Sequence, residues 1–300
     1  MIAALQRLFS MLWAVAFIAA ALGSLLAEFS AATAVSLLIG LSLGHALVLG
    51  AEMIWMQAAN RSDSVRPAKT AELLKAWFAE VLHAPLVFFW RQPWRCQKFP
   101  NSSAAQGPRT GERGLVLVHG FFCNRGLWQR WMERCQDDGI PCIAVTLEPA
   151  FGSIDDYVAT IQAAVTELTC QTGLPPVVVA HSMGGLAVRR WWCDVDSAQI
   201  HRLITLGTPH RGTRLARLGH TRNARQMRED SLWLAELNAR EQVERRAKIL
   251  CVYSHCDNIV FPASRALLPG AASHHLPATP HVAMVDHPAV WQLARESLRV

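Results

Sequence analysis

Two long apolar stretches open the chain. Leu8–Ala27 is twenty residues without a charge, and Phe29–Ala51 is twenty-three without Asp, Glu, Lys or Arg. A helix needs about 20 apolar residues to cross a bilayer. Only Glu28 and a few small residues part the two. The pattern therefore predicts a transmembrane helical hairpin, within residues 1–59, of helices over 8–27 and 32–56. Trp13 and Trp55 fall toward the ends that would share one interface, as belt aromatics do. A cleavable signal is the rival reading, with small residues over Ala19–Ala27, but a second apolar run follows at once. His45 and Glu52 are polar intrusions; Glu52 is close enough to an end to snorkel.

Residues 60–113 read as a connector. After Pro67, with Thr70 as N-cap, the pairs Leu73/Leu74, Trp77/Phe78 and Val81/Leu82 recur every four residues. That is one face of an amphipathic helix, which Pro85 is expected to end or kink. The segment Arg91-Gln92-Pro93-Trp94-Arg95 suits a headgroup layer. The same face would serve equally for packing on the rest of the chain. Asn101–Gly111, rich in Ser, Gly and Pro, reads as a linker.

From residue 114 to 300 the period changes. Short Val/Ile-rich runs at Gly114–Val118, Pro141–Thr146, Pro176–Ala180, Leu203–Leu206 and Lys248–Tyr253 predict buried strands. Helical patterns lie between them, over Leu127–Asp137, Asp155–Thr172, Met183–Cys193, Asp230–Arg240 and His287–Leu298. Such alternation predicts an α/β domain with a mostly parallel sheet covered on both faces.

Composition sharpens this picture. The chain has 300 residues, 51% of them hydrophobic and 17% charged, and a mean hydropathy of +0.17. Disorder is excluded by that balance. The net charge is +6. Residues 61–113 hold nine Lys/Arg against four acids. Nothing here has a nucleic-acid-binding signature, so the basic residues point to a membrane surface. Arg7 precedes the hairpin and Arg61, Arg66 and Lys69 follow it. The positive-inside bias then puts both ends, and the rest of the chain, on the cytoplasmic side of a bacterial-type inner membrane. Eight cysteines show neither C-x-x-C nor zinc spacing and read as free structural thiols. No metal or organic cofactor is implied, and oligomeric state is left open.

The sharpest motif is Ala180-His181-Ser182-Met183-Gly184-Gly185, directly after Val177-Val178-Val179 and opening a helical pattern. A serine on a tight strand-to-helix turn flanked by small residues is the setting of a nucleophile elbow. Upstream, Val118-His119-Gly120-Phe121-Phe122 closes the first strand. The backbone N–H groups of Phe121 and Met183 are candidates for an oxyanion hole. His119 precedes the serine and reads as structural. Asp257 follows the strand ending at Tyr253, at a carboxyl edge where sites form in open α/β sheets. Four histidines follow: His274, His275, His281 and His287. His281, in a loop before the last helix, is the preferred base, in the chain order Ser182, Asp257, His281. Phe122, Trp128 and His181 are candidate substrate contacts; Leu127, Trp131 and Phe151 are further candidates for an acyl pocket.

These segments resemble the α/β-hydrolase lipases and esterases, above all compact bacterial lipases with A-H-S-M-G-G and the lipase-like GPI-inositol deacylase group. Thr205-Leu206-Gly207-Thr208-Pro209-His210-Arg211-Gly212-Thr213 is similar to a stretch common in those groups. The resemblance covers Gly114–Val300 and not residues 1–113. It implies an α/β-hydrolase fold, Ser182 as nucleophile, Asp257 as acid, His281 as base and Phe121 and Met183 as oxyanion donors. The expected activity is hydrolysis of lipid or other acyl esters by a membrane-anchored lipase or carboxylesterase, with no nucleic-acid partner. Acyl transfer to an alcohol, or a non-catalytic membrane adaptor, are the alternatives. Six arginines between Arg211 and Arg228, followed by Leu232-Trp233-Leu234, form either a cap that meets anionic headgroups or a solvated basic face.

Overall fold

The computed structural model describes residues 1–26, 29–102 and 111–299. Helix α1 (Ile2–Leu25) and helix α2 (Ala31–Asn60) pack as a hairpin. Ser30 caps α2, its hydroxyl accepting from the Thr33 N–H at 3.1 Å. Both helices are long and apolar enough to cross a membrane. Glu28, expected in the turn, and 103–110 of the expected linker lie outside the described residues. Asn101 and Ser102 run beside a strand instead of hanging free: Ala144 N–H donates to Asn101 Oδ1 and Cys142 N–H to Ser102 Oγ.

Helix α3 (Thr70–Pro85) starts one residue after the cap at Lys69, whose N–H is taken by the Glu72 carboxylate at 2.7 Å. The α-helix ends at Pro85, as expected, but the helical run goes on. The chain widens into a π turn over Leu86–Arg91 and closes with α4 (Gln92–Trp94). Proline has no N–H to contribute to the ladder, and a wider turn absorbs the mismatch. The continuous run Thr70–Trp94 is a third helix long and apolar enough to cross a membrane. Its two faces differ. Ala76, Glu80, Val87 and Arg91 are buried, while Leu74, Phe78 and Leu82 are exposed. The amphipathic face thus does not choose one partner: the buried stripe packs on the protein and the apolar one points outward.

Strands β1 (Leu115–Val118), β2 (Cys142–Ala144), β3 (Val177–His181), β4 (Arg202–Leu206), β5 (Ile249–Tyr253) and β6 (Ala272–His275) form one sheet, ordered β2-β1-β3-β4-β5-β6 and parallel throughout. The sequence pattern predicts the first five. It misses β6 because that strand is an edge, half exposed and built from Ala-Ser-His-His. Alternate residues face opposite layers. Val116 and Val118 pack against α6 (Val158–Thr172) and α7 (Met183–Trp192). Leu115 and Leu117 pack against α5 (Gln129–Asp137) and α10 (Pro288–Leu298). Each fully buried aliphatic side chain contributes about 1.5–3 kcal/mol. Trp128, expected as a substrate contact, belongs to this second core and is fully buried edge-on to Trp131.

The arginine-rich stretch folds into a short 3-10 turn and helices α8 (Arg222–Gln226) and α9 (Leu232–Arg240). Much of its charge is used internally. Arg214, Arg217 and Arg265 converge on Glu229, Arg228 donates to the carbonyls of Ala216 and Gly219, and Arg211 to that of Ser264. Six free arginines facing headgroups are therefore not what the fold presents.

A polar seam joins the N-terminal helices to the sheet domain. Asn60 donates to the His255 carbonyl and accepts from Ala263 N–H, both at 3.0 Å. Arg91 donates to Asp286 at 2.6 Å, and His83 Nε2 lies 3.2 Å from the same carboxylate. Burial would raise the Asp286 carboxyl, but His83 and Arg91 hold it below its ordinary value. Removing one partner of a buried ion pair costs about 3–5 kcal/mol. Asp286→Ala is expected to lower stability by about that amount, measured from the denaturant midpoint of the purified protein. Arg66→Ala, which breaks an exposed pair with Glu72, should cost under about 0.5 kcal/mol. Equal losses would contradict the seam's importance.

Candidate active site

The strand order reverses between β1 and β3, and the loops at their carboxyl ends meet there. Open α/β sheets place ligands at such a switch point. Ser182 sits between β3 and α7 with φ 55° and ψ −130°. A non-glycine residue in that region stores about 1–3 kcal/mol of strain. Three hydrogen bonds hold it: Ser182 N–H to the Leu206 carbonyl at 2.8 Å, and its own carbonyl accepting from Thr208 Oγ1 at 2.9 Å and Gly185 N–H at 3.0 Å.

The glycines around the elbow are dictated by close approach. A Cβ on Gly184 would come 2.4 Å from the His119 carbonyl oxygen, and one on Gly185 would collide with Thr208. A Cβ on Gly120 would come 2.7 Å from Ser182 Cβ. The loop after β1 is thus pressed against the serine. His119, in that loop, accepts from Leu147 N–H through Nε2, and its Nδ1 bonds the Gly120 carbonyl. Burial pushes it down to about 4, so it stays neutral and structural. Met183 N–H is among the first N–H groups of α7, which have no intrahelical acceptor. Phe122 has φ 57°, and its carbonyl is held by Gln6 Nε2 at 3.1 Å. Gln92 Oε1 takes Asn124 N–H and Gln6 Nε2, both at 3.0 Å.

His281 Nδ1 stands 2.9 Å from the Asp257 carboxylate. Asp257 Oδ1 also accepts from Ile259 N–H at 2.9 Å and Val260 N–H at 2.8 Å, which fixes its plane. Burial would lower the His281 imidazole. The charge and hydrogen bond of Asp257, with smaller contributions from Glu80 and Glu52, outweigh it and raise His281 above its ordinary value. His181 lies against it, ring centroids 4.5 Å apart, and bonds the His281 carbonyl through Nε2 at 3.1 Å. A carbonyl only accepts, so His181 carries its proton on Nε2. Burial and the neighbouring His281 keep it far below the ordinary histidine value. The other base candidates are elsewhere: His274 and His275 are in the edge strand β6, and His287 caps α10.

Ser182, His181, His281, Phe121 and Phe122 line one cavity of about 570 Å³, within the usual range for ligand sites. Its wall contains Leu127 where the sequence suggested Trp128. Phe151 stacks on Phe122 at 6.1 Å and supports that wall from outside. Cys123 also faces the cavity, but burial pushes its thiol up to about 12, which leaves it unreactive. Among the described residues no cluster of His, Cys, Asp and Glu is arranged to hold a metal.

Sequence reasoning gave Glu80 no role and read Glu52 as free to snorkel, whereas both carboxylates are turned onto the hydrolase domain. Glu80 of α3 is 1% exposed. Its two oxygens accept from Val282 N–H at 2.8 Å and Ala283 N–H at 3.1 Å, the residues after His281. Glu52 of α2 accepts from Asn258 Nδ2 at 2.7 Å, and Asn258 Oδ1 accepts from His281 N–H at 3.3 Å. The available signal was an acidic residue on the apolar-flanked side of each helix. Together the groups can run acyl transfer: a strained serine, a carboxylate-oriented imidazole, and amide donors beside the serine.

Residues 115–247 match the sequence model of the alpha/beta hydrolase family, a segment that ends before Asp257 and His281. The mature form of a lipase from Bacillus licheniformis superposes with TM-score 0.56 at 17% identity, over 64% of this chain and 94% of that one. Lipase B of Aspergillus fumigatus superposes with TM-score 0.57 at 18% identity, over 67% of this chain and 55% of that one. No curated protein matches the chain in sequence. Residues 115–247 are thus similar in sequence to the alpha/beta hydrolase family, and the sheet domain has the α/β-hydrolase fold.

Proposed function

We propose that the protein is a membrane-anchored serine hydrolase that cleaves acyl esters through Ser182, His281 and Asp257. One observation carries the reading: the serine on its strained turn and His281, which is bonded to Asp257 behind it, line the same largely apolar cavity. His281 takes the Ser182 proton as the hydroxyl attacks the ester carbonyl. Asp257 holds the imidazole tautomer and supports its positive charge. Phe121 and Met183 N–H groups receive the oxyanion. Collapse releases the alcohol with the proton from His281, and water then cleaves the acyl-enzyme by the same steps.

Anchoring by the α1/α2 hairpin has its own support. Gln6 near the start of α1 and Asn60 at the end of α2 both bond the hydrolase domain. The two ends of the hairpin thus stand on one side. α3 and α4 touch that domain from Glu72, beside His255, to Gln92, beside Asn124. A helix engaged along its whole length fits the membrane boundary better than a third crossing. Arg7, Arg61, Arg66 and Lys69 lie toward the same side, which favours the cytoplasm.

Four outcomes follow. A fluorophosphonate probe should label the wild type and not Ser182→Ala, with ester turnover lost by on the order of 10⁶-fold; equal labelling would sink the nucleophile assignment. His281 must be neutral to act, and its value is raised above 6.5. The acid limb of kcat/KM should therefore lie above pH 6.5, activity falling as pH drops through it. Glu80→Gln removes one of the charges that raise His281, so the limb should move to lower pH; an unmoved limb would reduce Glu80 to packing. A C-terminal reporter that works only in the cytoplasm should be active, and activity only on the far side would reverse the orientation.

A further inference from the structure

We infer that the cavity is filled from the bilayer, through a portal between α2 and the π turn, and that its occupant is an acyl chain of a lipid ester resident in the hydrolase-side leaflet. This rests on the reading of Ser182 as nucleophile and names the substrate class for that site. The cavity is not closed by the hydrolase domain alone. Half of its wall comes from the N-terminal helices, through Val48 and Leu49 of α2, Ala84 and Pro85 of α3, and Phe88 and Phe89 of the π turn. Opposite them stand Phe122, Leu127, Leu215 and Ile259 around the serine.

Two of the helix residues also reach the outer surface. Val48 is 60% exposed and Phe89 is 42% exposed. They continue into Leu43 and Leu47 on α2 and Leu82 and Leu86 on the third helical run, all exposed. That surface belongs to helices with the length and hydropathy of membrane spans. A mouth bounded by such side chains opens onto lipid rather than water. Depth agrees. Val48 precedes Asn60, which bonds the hydrolase domain, by twelve residues. At 1.5 Å per residue this is about 18 Å along α2, within a hydrocarbon core of about 30 Å. Apart from His45, whose Nε2 is used on the Val81 carbonyl at 3.0 Å, the polar groups Ser182, His281, Glu52, Glu80 and Asn258 gather away from the mouth. An apolar chain entering first and an ester carbonyl arriving at the serine match this gradient. The π turn has a use here: by carrying the helix past Pro85 with a changed pitch, it contributes both Phe88 and Phe89 to the groove.

The test uses the full chain carrying Ser182→Ala, in vesicles of phosphatidylcholine with a photoactivatable diazirine midway along one acyl chain. After illumination, label is expected on the hydrolase-side wall, at Phe122, Leu127 or Leu215, as well as on outward faces of α1 and α2. Adding Val48→Trp should cut the inner-wall label at least tenfold. Ile39→Trp, exposed on α2 and outside the groove and its mouth, should leave it unchanged. Label confined to the outward faces, or inner-wall label that Val48→Trp does not reduce, would overturn the portal. This readout needs no turnover, so it separates from the nucleophile assignment, which fails only if the fluorophosphonate labels Ser182→Ala.

Discussion

Glu80 sends both carboxylate oxygens from a largely apolar helix to the two backbone N–H groups that follow His281. A carboxylate that is 1% exposed is costly unless its lone pairs are satisfied. Here they are satisfied by the loop that carries His281, so the helix and the loop stabilise each other. The same logic repeats along the seam. Glu52 reaches the loop through Asn258, Gln6 and Gln92 hold the loop after β1, and Asp286 neutralises Arg91. The N-terminal helices thus line the same cavity as Ser182 and His281 and hold the loops around it.

That dependence explains the shape of the cavity. A parallel sheet with a reversal between β1 and β3 brings the serine turn and the β1 loop together, as it does throughout this fold. The sheet alone leaves the apolar side of the site open. α2 and the helical run from α3 through α4 close that side, with Ala76 and Val87 against the domain and Leu74, Phe78 and Leu82 outward. An amphipathic helix between a protein and a lipid face needs both stripes to be apolar in part, which is why its pattern named no single partner.

How much was legible follows from where each signal resides. Strand runs such as Val177-Val178-Val179 are buried on both faces and read as continuous apolar blocks. The serine turn was legible because its tight approach forces glycine at 184 and 185. The edge strand β6 was not, since an exposed Ser-His-His carries no burial pattern. Trp128 was misread because aromatic size does not say which layer a side chain faces, and it faces the core behind the sheet. Pro85 marked the place where the α-helical ladder gives out, but the π turn that carries the chain on from there comes from tertiary packing and left no sequence signal. Glu52 and Glu80 carried charge without a partner in sequence; their partners are about 200 residues away.

The central claim of the proposal is that the N-terminal helices and the hydrolase domain form one catalytic structure. Amide hydrogen exchange of residues 279–286 in the intact protein measures it directly. The account predicts that the Val282 and Ala283 amides exchange among the slowest in that loop, and that Glu80→Gln accelerates both while leaving amides of β3 unchanged. Fast exchange at these two positions in the wild type, or no change in the variant, would contradict it.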